Sequence, residues 1–272
     1  MKPQEEGSRD AIDYRRLGPK PGTRAAVVGG SGGIGREYVR GLLAAECRVA
    51  VLDRPSAIAA SPPPEGVLTL PVDVTNDDAV NEAFSAANRA FAGLDLMTHL
   101  AGVNSRPARV AEIDLADFER VMAINVRSAA LCCKLAIPLM RQGGGGTIVL
   151  TSSGLGTSPE PLFAAYSMSK AALISLTRTI AKEYAPAIRA NAIAPGLADT
   201  AFLSGGTGAT AADARNPTQD DPQLRAKLVA AIPMGRIATA QDIAAPMLFL
   251  SGEASRYMTG QVIYVNGGKV MA

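Results

Sequence analysis

The chain has 272 residues and a formal net charge of +2 at pH 7, and 47% of its residues are hydrophobic while only 4% are aromatic. A chain of this length buries one large core, and an aliphatic core suits a parallel sheet covered by helices on both faces. The small net charge, without a basic cluster, argues against a nucleic-acid partner. No apolar run approaches the roughly 18 residues of a membrane helix, and the first residues lack a hydrophobic signal segment, so we expect no membrane partner and a cytoplasmic location.

Predicted strands and helices alternate along the chain after a charged N-terminal tail at residues 1–21. Strands are predicted at 24–28, 48–52, 67–71, 94–100, 146–151, 188–193 and 261–265. Helices are predicted at 33–45, 77–91, 115–140, 165–184, 223–230 and 240–250. This alternation predicts an α/β fold with a single domain at 22–272, built on a doubly wound parallel sheet (a Rossmann fold) of about seven strands. The ligand should bind beyond the carboxyl ends of the strands, where the strand order reverses.

A glycine-rich turn follows the first predicted strand and precedes the first helix. It reads Gly29-Gly30-Ser31-Gly32-Gly33-Ile34-Gly35, which satisfies both G-x-G-x-x-G and G-x-x-x-G-x-G. Backbone N–H groups and the positive end of the helix face an anion at such a turn, and glycine lets the backbone approach closely. A flexible turn would explain the glycines equally well if they stood alone.

The end of the second predicted strand supports the phosphate-site interpretation, because Asp53 lies eighteen residues after Gly35. A carboxylate there can accept hydrogen bonds from ribose hydroxyls. It would repel a 2′-phosphate by about 4 kcal/mol per charge pair at roughly 4 Å and an effective dielectric of about 20. Arg54 could attract a 2′-phosphate or stack on adenine. We predict a preference for NAD over NADP.

Tyr166 and Lys170 are four residues apart on a predicted helix, so their side chains share one face. A lysine ammonium beside a phenol favours the phenolate, and lowering the pKa of the phenol by roughly 3 units takes about 4 kcal/mol. We therefore expect an acid/base pair. Ser153 ends a predicted strand thirteen residues earlier, and Ser152 is the alternative one position away.

Cysteine and histidine residues offer neither a metal site nor a disulfide framework. The chain has Cys47, Cys132, Cys133 and a single histidine, His99. No C-x-x-C is present, so no metal is expected. Side chains of adjacent helical residues point about 100° apart, and at least one of Cys132 and Cys133 is expected to pack in the core.

The ordered motifs resemble those of the short-chain dehydrogenase/reductase family over roughly residues 22–270. The motifs are Gly29-x-x-x-Gly33-Ile34-Gly35, Asp73-Val74, Ala101-Gly102, Asn125, Ser153, Tyr166-x-x-x-Lys170 and Pro195-Gly196. The resemblance implies hydride transfer between a nicotinamide dinucleotide and an alcohol or ketone. Tyr166 would then exchange a proton with the substrate oxygen, Ser153 would bind that oxygen, and Lys170 would lower the pKa of the tyrosine and hold ribose hydroxyls.

The resemblance also implies the remaining site residues. Asn125 matches an asparagine that kinks a helix and anchors a proton-relaying water. Cofactor contacts are implied for Gly29, Ser31, Gly32, Gly33, Ile34, Gly35, Asp53, Arg54, Asp73, Val74, Leu100, Ala101, Gly102, Tyr166, Lys170, Pro195, Gly196, Leu197 and Thr200. Substrate contacts, by position alone, are Asn104, Leu155, Phe163 and Leu203 together with Ser153 and Tyr166.

These substrate positions suggest a partly apolar pocket for a cyclic or medium-sized secondary alcohol or ketone. The polar stretch 197–222 is expected to be a lid, with an ordinary surface insertion as the alternative. A dimer or tetramer is expected through the predicted helices 115–140 and 165–184. The alternatives are a 3-oxoacyl-thioester reductase of the same family and a non-catalytic dinucleotide-binding sensor or scaffold.

Two positions depart from the family pattern. Val28 stands where the family has a threonine, so one hydroxyl contact is absent. His99-Leu100-Ala101-Gly102 stands where Asn-Asn-Ala-Gly is usual, and those asparagines help to join the central strand to its neighbours. We expect His99 to serve a structural role as a substitute hydrogen-bond donor.

Overall fold

The computed structural model describes residue 15, residues 17–208 and residues 220–271. Seven strands form one sheet, and every pairing between neighbours is parallel. They are β1 Arg24–Val28, β2 Arg48–Asp53, β3 Leu68–Pro71, β4 Leu96–His99, β5 Gly146–Thr151, β6 Ile188–Pro195 and β7 Val262–Val265. The sheet order is β3-β2-β1-β4-β5-β6-β7, which confirms the predicted doubly wound sheet.

Helices connect the strands and cover both faces of the sheet. They are α1 Gly33–Ala44, α2 Pro55–Ala60, α3 Asp77–Phe91, α4 Leu115–Met122, α5 Ser128–Gln142, α6 Ala164–Tyr184, α7 Pro222–Ala230 and α8 Ala240–Ser251. The sequence prediction missed α2, a six-residue helix with Pro55 at its first turn. It also predicted one helix at 115–140, with a kink implied at Asn125, and in the structure a π-helical turn at Ala123–Arg127 separates α4 from α5.

Alternate residues of the strands supply two apolar layers, one on each face of the sheet. Ala26 and Val28 of β1 belong to the layer formed with α3, α5 and α6. Ala25 and Val27 belong to the layer formed with α1 and α8. Successive side chains of a strand point to opposite faces, so this division follows from the strand period of two.

Helix α5 packs deeply into the first layer. Cys132 and Cys133 are both buried free thiols in that layer, and burial raises the pKa of Cys132 to about 12 and raises that of Cys133 further. Both are therefore packing residues. The continuous helical stretch Leu115–Gln142 has a window of mean hydropathy 1.4, apolar enough to cross a membrane, contrary to the expectation from the sequence. A core helix of a soluble protein meets the same criterion, and 44% of this window is buried inside the protein.

Two predicted segments lie partly outside the described residues. Of the tail at 1–21, the structure describes residue 15 and residues 17–21. Of the predicted lid at 197–222, it describes 197–208 and 220–222. The first of these lid pieces carries a 3-10 turn, Ala201–Ser204, and α7 begins in the second.

Candidate active site

The glycine-rich turn lies at the carboxyl end of β1, where the sheet order reverses between β1 and β4. Gly29 has φ +87°, and a Cβ there would lie 2.6 Å from the backbone nitrogen of Ala101. A Cβ on Gly35 would overlap the carbonyl oxygen of Gly29. Both glycines are needed for close backbone packing, which brings the turn against the chain that follows β4.

The start of α1 has no side-chain cap and no acidic residue. Gly32 is the N-cap and makes no side-chain cap hydrogen bond, and the first turn of the helix holds no acidic residue. The Ser31 hydroxyl is buried without a hydrogen-bond partner among the described residues. A positive helix end without a side-chain cap, beside an unsatisfied hydroxyl, fits a phosphate group.

Asp53 ends β2 directly beside this turn. Its carboxylate accepts hydrogen bonds from the backbone nitrogens of Ser31, at 2.9 Å, and Arg54, at 2.8 Å. Burial raises the pKa of the Asp53 carboxyl, and these two hydrogen bonds oppose the rise. The Arg54 guanidinium points across the cleft and donates to the carbonyl oxygen of Thr207 at 3.2 Å.

The Asp73-Val74 pair follows β3 at the same edge of the sheet. One carboxylate oxygen of the exposed Asp73 accepts from the backbone and hydroxyl groups of Thr75. Asn76 caps α3 by accepting from the backbone nitrogen of Ala79 at 3.1 Å. The helix-cap role therefore belongs to Asn76, as expected, and Val74 is buried in the core.

The Leu100–Gly102 segment continues from β4 along the cleft. The backbone nitrogens of Leu100 and Ala101 both donate to the carbonyl oxygen of Val28. A Cβ on Gly102 would lie 3.3 Å from Asn125 Oδ1 and 3.4 Å from Lys170 Nζ. Gly102 thus joins the cofactor side of the cleft to the side chains of the acid/base pair.

The structure separates the two candidate serines at the end of β5. Ser152 Oγ donates to the carbonyl oxygen of Lys170 at 2.8 Å, which commits this hydroxyl to holding α6. Ser153 lies close enough to the Tyr166 phenol to oppose the rise of its pKa. Ser153 Oγ also accepts from the backbone nitrogen of Leu155 at 3.2 Å. Ser153 is therefore the serine that faces the tyrosine.

Tyr166 and Lys170 share a buried face of α6, and Lys170 Nζ lies 5.5 Å from the centroid of the tyrosine ring. Burial raises the pKa of the Tyr166 phenol to about 12, and Ser153 opposes the rise. Burial lowers the pKa of Lys170 to about 8. The expected depression of the tyrosine pKa is thus absent from the ligand-free chain, because desolvation of the phenolate outweighs the nearby ammonium.

Asn125 lies in the π-helical turn between α4 and α5 and is fully buried. Its Oδ1 accepts from the backbone nitrogen of Val103 at 2.8 Å. Its Nδ2 donates at 2.9 Å to the carbonyl oxygen of Val103 and to Ser169 Oγ. The side chain therefore clamps the segment after β4 to α6, and the helix is interrupted at the predicted position.

The chain that leaves β6 returns across the cleft. The backbone nitrogen of Gly196 donates to the carbonyl oxygen of Val265, and that of Ala238 donates to the carbonyl oxygen of Leu197. The Thr200 side chain packs against Gly33, since a Cβ on that glycine would lie 2.8 Å from it. Thr200 therefore sits at the start of α1, beside the glycine-rich turn.

The predicted substrate positions occupy separate stretches around the tyrosine. Leu155 and Phe163 are half-buried; Leu155 lies in a 3-10 turn after β5, and Phe163 directly precedes α6. Leu203 is half-buried in the 3-10 turn that follows Thr200. The Asn104 side chain accepts from the backbone nitrogen of Ser105 and is exposed. These positions flank the site, but none of their side chains makes a hydrogen bond or a ring contact with Tyr166.

Sequence reasoning missed three groups that shape the site. The Thr151 carbonyl oxygen accepts from Lys170 Nζ at 2.9 Å, and the Ser169 hydroxyl links Asn125 to the Tyr166 carbonyl. The Phe202 ring centroid lies 6.2 Å from that of Tyr166. Adjacency to Ser152 and Lys170 was the available signal for the first two. An aromatic residue in the predicted lid was the signal for Phe202.

Comparisons with known proteins agree with this geometry. A family model described as enoyl-(acyl carrier protein) reductase matches residues 28–269. A cis-4-hydroxycyclohexanecarboxylate dehydrogenase from Sinomonas cyclohexanicum is 36% identical over 197 residues, which cover 72% of this chain and 74% of that protein. A chloroplastic NADPH-dependent aldehyde reductase-like protein from Arabidopsis thaliana is 31% identical over 272 residues, covering 93% and 96%.

Among solved structures, a short-chain type dehydrogenase/reductase from Mycobacterium ulcerans superposes with a TM-score of 0.82 at 28% identity. The match covers 92% of this chain and 90% of that one. The similarity therefore extends over the sheet, the glycine turn and the Tyr166–Lys170 helix together.

Proposed function

Because the chain belongs to the short-chain dehydrogenase/reductase family, we propose that it is an NAD-preferring oxidoreductase that transfers hydride between the dinucleotide and a secondary alcohol or ketone. The observation that carries the proposal is the buried Tyr166 phenol, with Lys170 Nζ 5.5 Å from the centroid of its ring and Ser153 close enough to oppose the rise of its pKa. Binding alone would not need these three groups together at the end of the cleft.

The chain's own residues handle the proton and the developing charge. The bound nicotinamide supplies the carbon that gives or takes the hydride. In ketone reduction the Tyr166 hydroxyl donates a proton to the substrate oxygen, and in alcohol oxidation the same oxygen accepts it. Ser153 Oγ donates a hydrogen bond to the substrate oxygen and stabilises the charge that develops there.

Lys170 contributes its positive charge and two free N–H groups. One N–H donates to the Thr151 carbonyl oxygen, which leaves the others for ribose hydroxyls. In the ligand-free chain, burial dominates the pKa values of Tyr166 and Lys170. A positively charged oxidised nicotinamide would favour the phenolate, so we propose that the tyrosine becomes a competent base only in the dinucleotide complex.

The NAD preference is supported by the position of Asp53. Its carboxylate lies on the ribose side of the glycine turn, held by the backbone of Ser31 and Arg54. Arg54 is hydrogen-bonded to the Thr207 carbonyl, which directs its charge across the cleft. One relative is named as NADPH-dependent, so similarity to the family does not by itself decide between NAD and NADP.

The substrate class that fits best is a cyclic or medium-sized, partly apolar secondary alcohol or its ketone. The Phe202 ring supplies apolar surface near the tyrosine, and Leu155 and Phe163 are half-buried apolar residues at positions that the resemblance implies for substrate contact. The relative named for cis-4-hydroxycyclohexanecarboxylate acts, by its name, on a ring alcohol. The second candidate is a 3-oxoacyl-thioester reductase, for which the matching family model offers support only in that its description names an acyl group on a carrier protein.

We further propose a cytoplasmic homodimer or homotetramer. The outer surfaces of α5 and α6 form a groove lined by Ala130, Ile137, Pro138, Leu176 and Tyr184, among others. A second copy would cover this apolar surface. Light scattering of the wild type and of Leu176→Arg tests this, with a smaller particle expected for the variant.

The function is tested by a spectrophotometric screen that follows the reduced nicotinamide with NAD and NADP. The panel contains cyclic alcohols, linear secondary alcohols, their ketones and a 3-oxoacyl thioester. Turnover of ring alcohols with NAD supports the proposal, and turnover confined to the thioester with NADPH supports the second candidate. Dinucleotide binding without turnover of any compound would contradict both.

A further inference from the structure

His99 is the last residue of β4, is 1% exposed, and is the only histidine of the chain. Its Nε2 lies 2.8 Å from Ser128 Oγ, the hydroxyl of the first residue of α5. The sequence suggested that it would replace an asparagine that joins neighbouring strands. Its side chain instead contacts the helix layer, at the turn that carries Asn125.

The direction of these hydrogen bonds follows from the chemistry of the groups. Ser128 Oγ lies 2.5 Å from the carbonyl oxygen of Ile124, which can only accept, so the single hydroxyl proton of Ser128 is donated there. The Ser128 oxygen must then accept from His99 Nε2–H. This assigns the Nε2–H tautomer of a neutral imidazole, and burial next to Lys170 lowers the pKa of His99 to about 3.

The receiving carbonyl belongs to the turn that holds Asn125. Within this turn the Ser128 backbone nitrogen donates to Ala123, five residues back, as a π-helix requires. Ile124 and Ser128 flank Asn125 on either side. The Asn125 amide then reaches Val103 on one side and Ser169 on the other, next to the acid/base pair.

We propose that His99 is a positioning residue for Asn125: its Nε2–H, relayed through the Ser128 hydroxyl to the Ile124 carbonyl, holds the π-helical turn in the register that clamps Val103 beside Lys170. The catalytic consequence rests on the proposed function. The positioning itself is a property of the ligand-free chain and is measurable without turnover.

The first test is nitrogen-15 NMR of the imidazole in protein without a histidine tag, where His99 gives the only imidazole signals. We expect the proton on Nε2 and no titration between about pH 5 and pH 8. In Ser128→Ala the Nε2–H signal should shift, because its acceptor is gone. An Nδ1–H tautomer, or titration with an ordinary histidine pKa, would overturn the proposal.

The second test is hydrogen exchange of the Val103 amide, which donates to Asn125 Oδ1. In His99→Leu and Ser128→Ala we expect exchange to accelerate about tenfold, the effect of losing one buried hydrogen bond. His99→Gln keeps a donor of similar reach and should restore most of the protection. Thr177, like Ser128, has a buried hydroxyl that donates to the carbonyl oxygen four residues earlier, but it lies in α6. The variant Thr177→Val removes this hydroxyl and is the matched control. It should leave Val103 exchange within about twofold of wild type.

Steady-state kinetics complete the test. The two variants that break the relay should lower kcat about tenfold and leave the KM for the dinucleotide within about twofold, and the double variant should lose no more than either single one. Unchanged Val103 exchange in His99→Leu would overturn the positioning role whatever the activity. A wild type without turnover on any panel compound would overturn the proposed function, and the exchange and NMR results would still decide the positioning role.

Discussion

The cofactor end and the acid/base end of the cleft are held together by different kinds of contact. At the cofactor end the contacts are made by backbone: Gly29 approaches Ala101, Gly35 approaches the Gly29 carbonyl, and Asp53 accepts from backbone N–H groups. At the acid/base end buried side chains are connected to one another, as in the hydrogen bonds that link Asn125 with Ser169. Backbone geometry therefore determines the shape of the cofactor end, and burial determines the protonation states of the side chains at the acid/base end.

The difference matters because the two ends respond differently to change. Backbone contacts tolerate no added Cβ, whereas an added or deleted polar atom in a buried network alters charge as well as shape. A substitution at the cofactor end should therefore change dinucleotide affinity or choice. A substitution at the acid/base end should change kcat, pH dependence or stability.

The largest expected effect is that of Tyr166→Phe. Removing one hydroxyl from the acid/base end should lower kcat about a thousandfold, the typical contribution of a positioned general acid or base. Dinucleotide affinity, followed by fluorescence of bound NADH, should stay within about threefold of wild type. Tyr264→Phe, which removes an exposed hydroxyl that is hydrogen-bonded to Thr157, is the control for loss of a phenol. Near-normal turnover in Tyr166→Phe would refute the acid/base role.

The next effect concerns dinucleotide choice at the cofactor end. Asp53→Ser removes the carboxylate that would repel a 2′-phosphate, so that it no longer opposes the positive charge of Arg54. We expect the ratio of kcat/KM for NAD over NADP to fall about fiftyfold, which corresponds to about 2 kcal/mol of the repulsion. Initial rates with both dinucleotides measure it. Asp73→Ser at the neighbouring strand end serves as the control, and an equal change in both variants would contradict the assignment to Asp53.

A smaller loss is expected for Gly35→Ala. The added Cβ would overlap the Gly29 carbonyl and lie 2.8 Å from Gly30 Cα, so the turn must shift. NADH should bind about tenfold more weakly, while kcat at saturating dinucleotide should change little. Gly18→Ala, where the nearest atom would be 3.8 Å away, is the matched control. Titration of NADH fluorescence measures the NADH affinity of both variants. A loss of kcat without a loss of NADH affinity would contradict the assignment of this turn to the cofactor end.

The two ends also differed in how well the sequence predicted them. Short apolar runs and the glycine spacing predicted all seven strands and the turn at Gly29–Gly35, since both patterns are local in the sequence. The sequence left Ser152 and Ser153 open, and only the fold shows that Ser152 holds the Lys170 carbonyl. The resemblance implied a kink at Asn125, but only the structure shows that the kink is a π-helical turn and that the Asn125 side chain contacts Val103 and Ser169.

The tyrosine pKa was the clearest failure of sequence reasoning. Helical spacing correctly placed Lys170 near Tyr166, but the sign of the pKa shift depends on the depth of burial. Spacing reports which charges are near each other and contains no measure of desolvation. The NAD preference, the catalytic roles and the substrate contacts stay predictions until the experiments above are done.

Lys170→Met should gain stability, and this effect follows from the same burial. The folded-state pKa of Lys170 is lowered to about 8 from 10.5, so below pH 8 the folded chain carries a buried ammonium that the unfolded chain exposes to water. The shift corresponds to roughly 3 kcal/mol, and loss of the bond to the Thr151 carbonyl offsets about 1 kcal/mol. Lys170→Met should therefore be about 2 kcal/mol more stable at pH 7, a Tm higher by several degrees.

The sign of the pH dependence makes this prediction specific. Between pH 8 and pH 10.5 the unfolded state binds more protons than the folded state, so the wild type gains stability as the pH rises and its deficit against Lys170→Met shrinks. Calorimetry of the ligand-free protein at both ends of that window measures it. The exposed control Lys227→Met should show no such trend. A variant that is less stable than wild type at pH 7 would mean that the ammonium is better solvated than its burial implies, and the acid/base end would then be no more desolvated than the cofactor end.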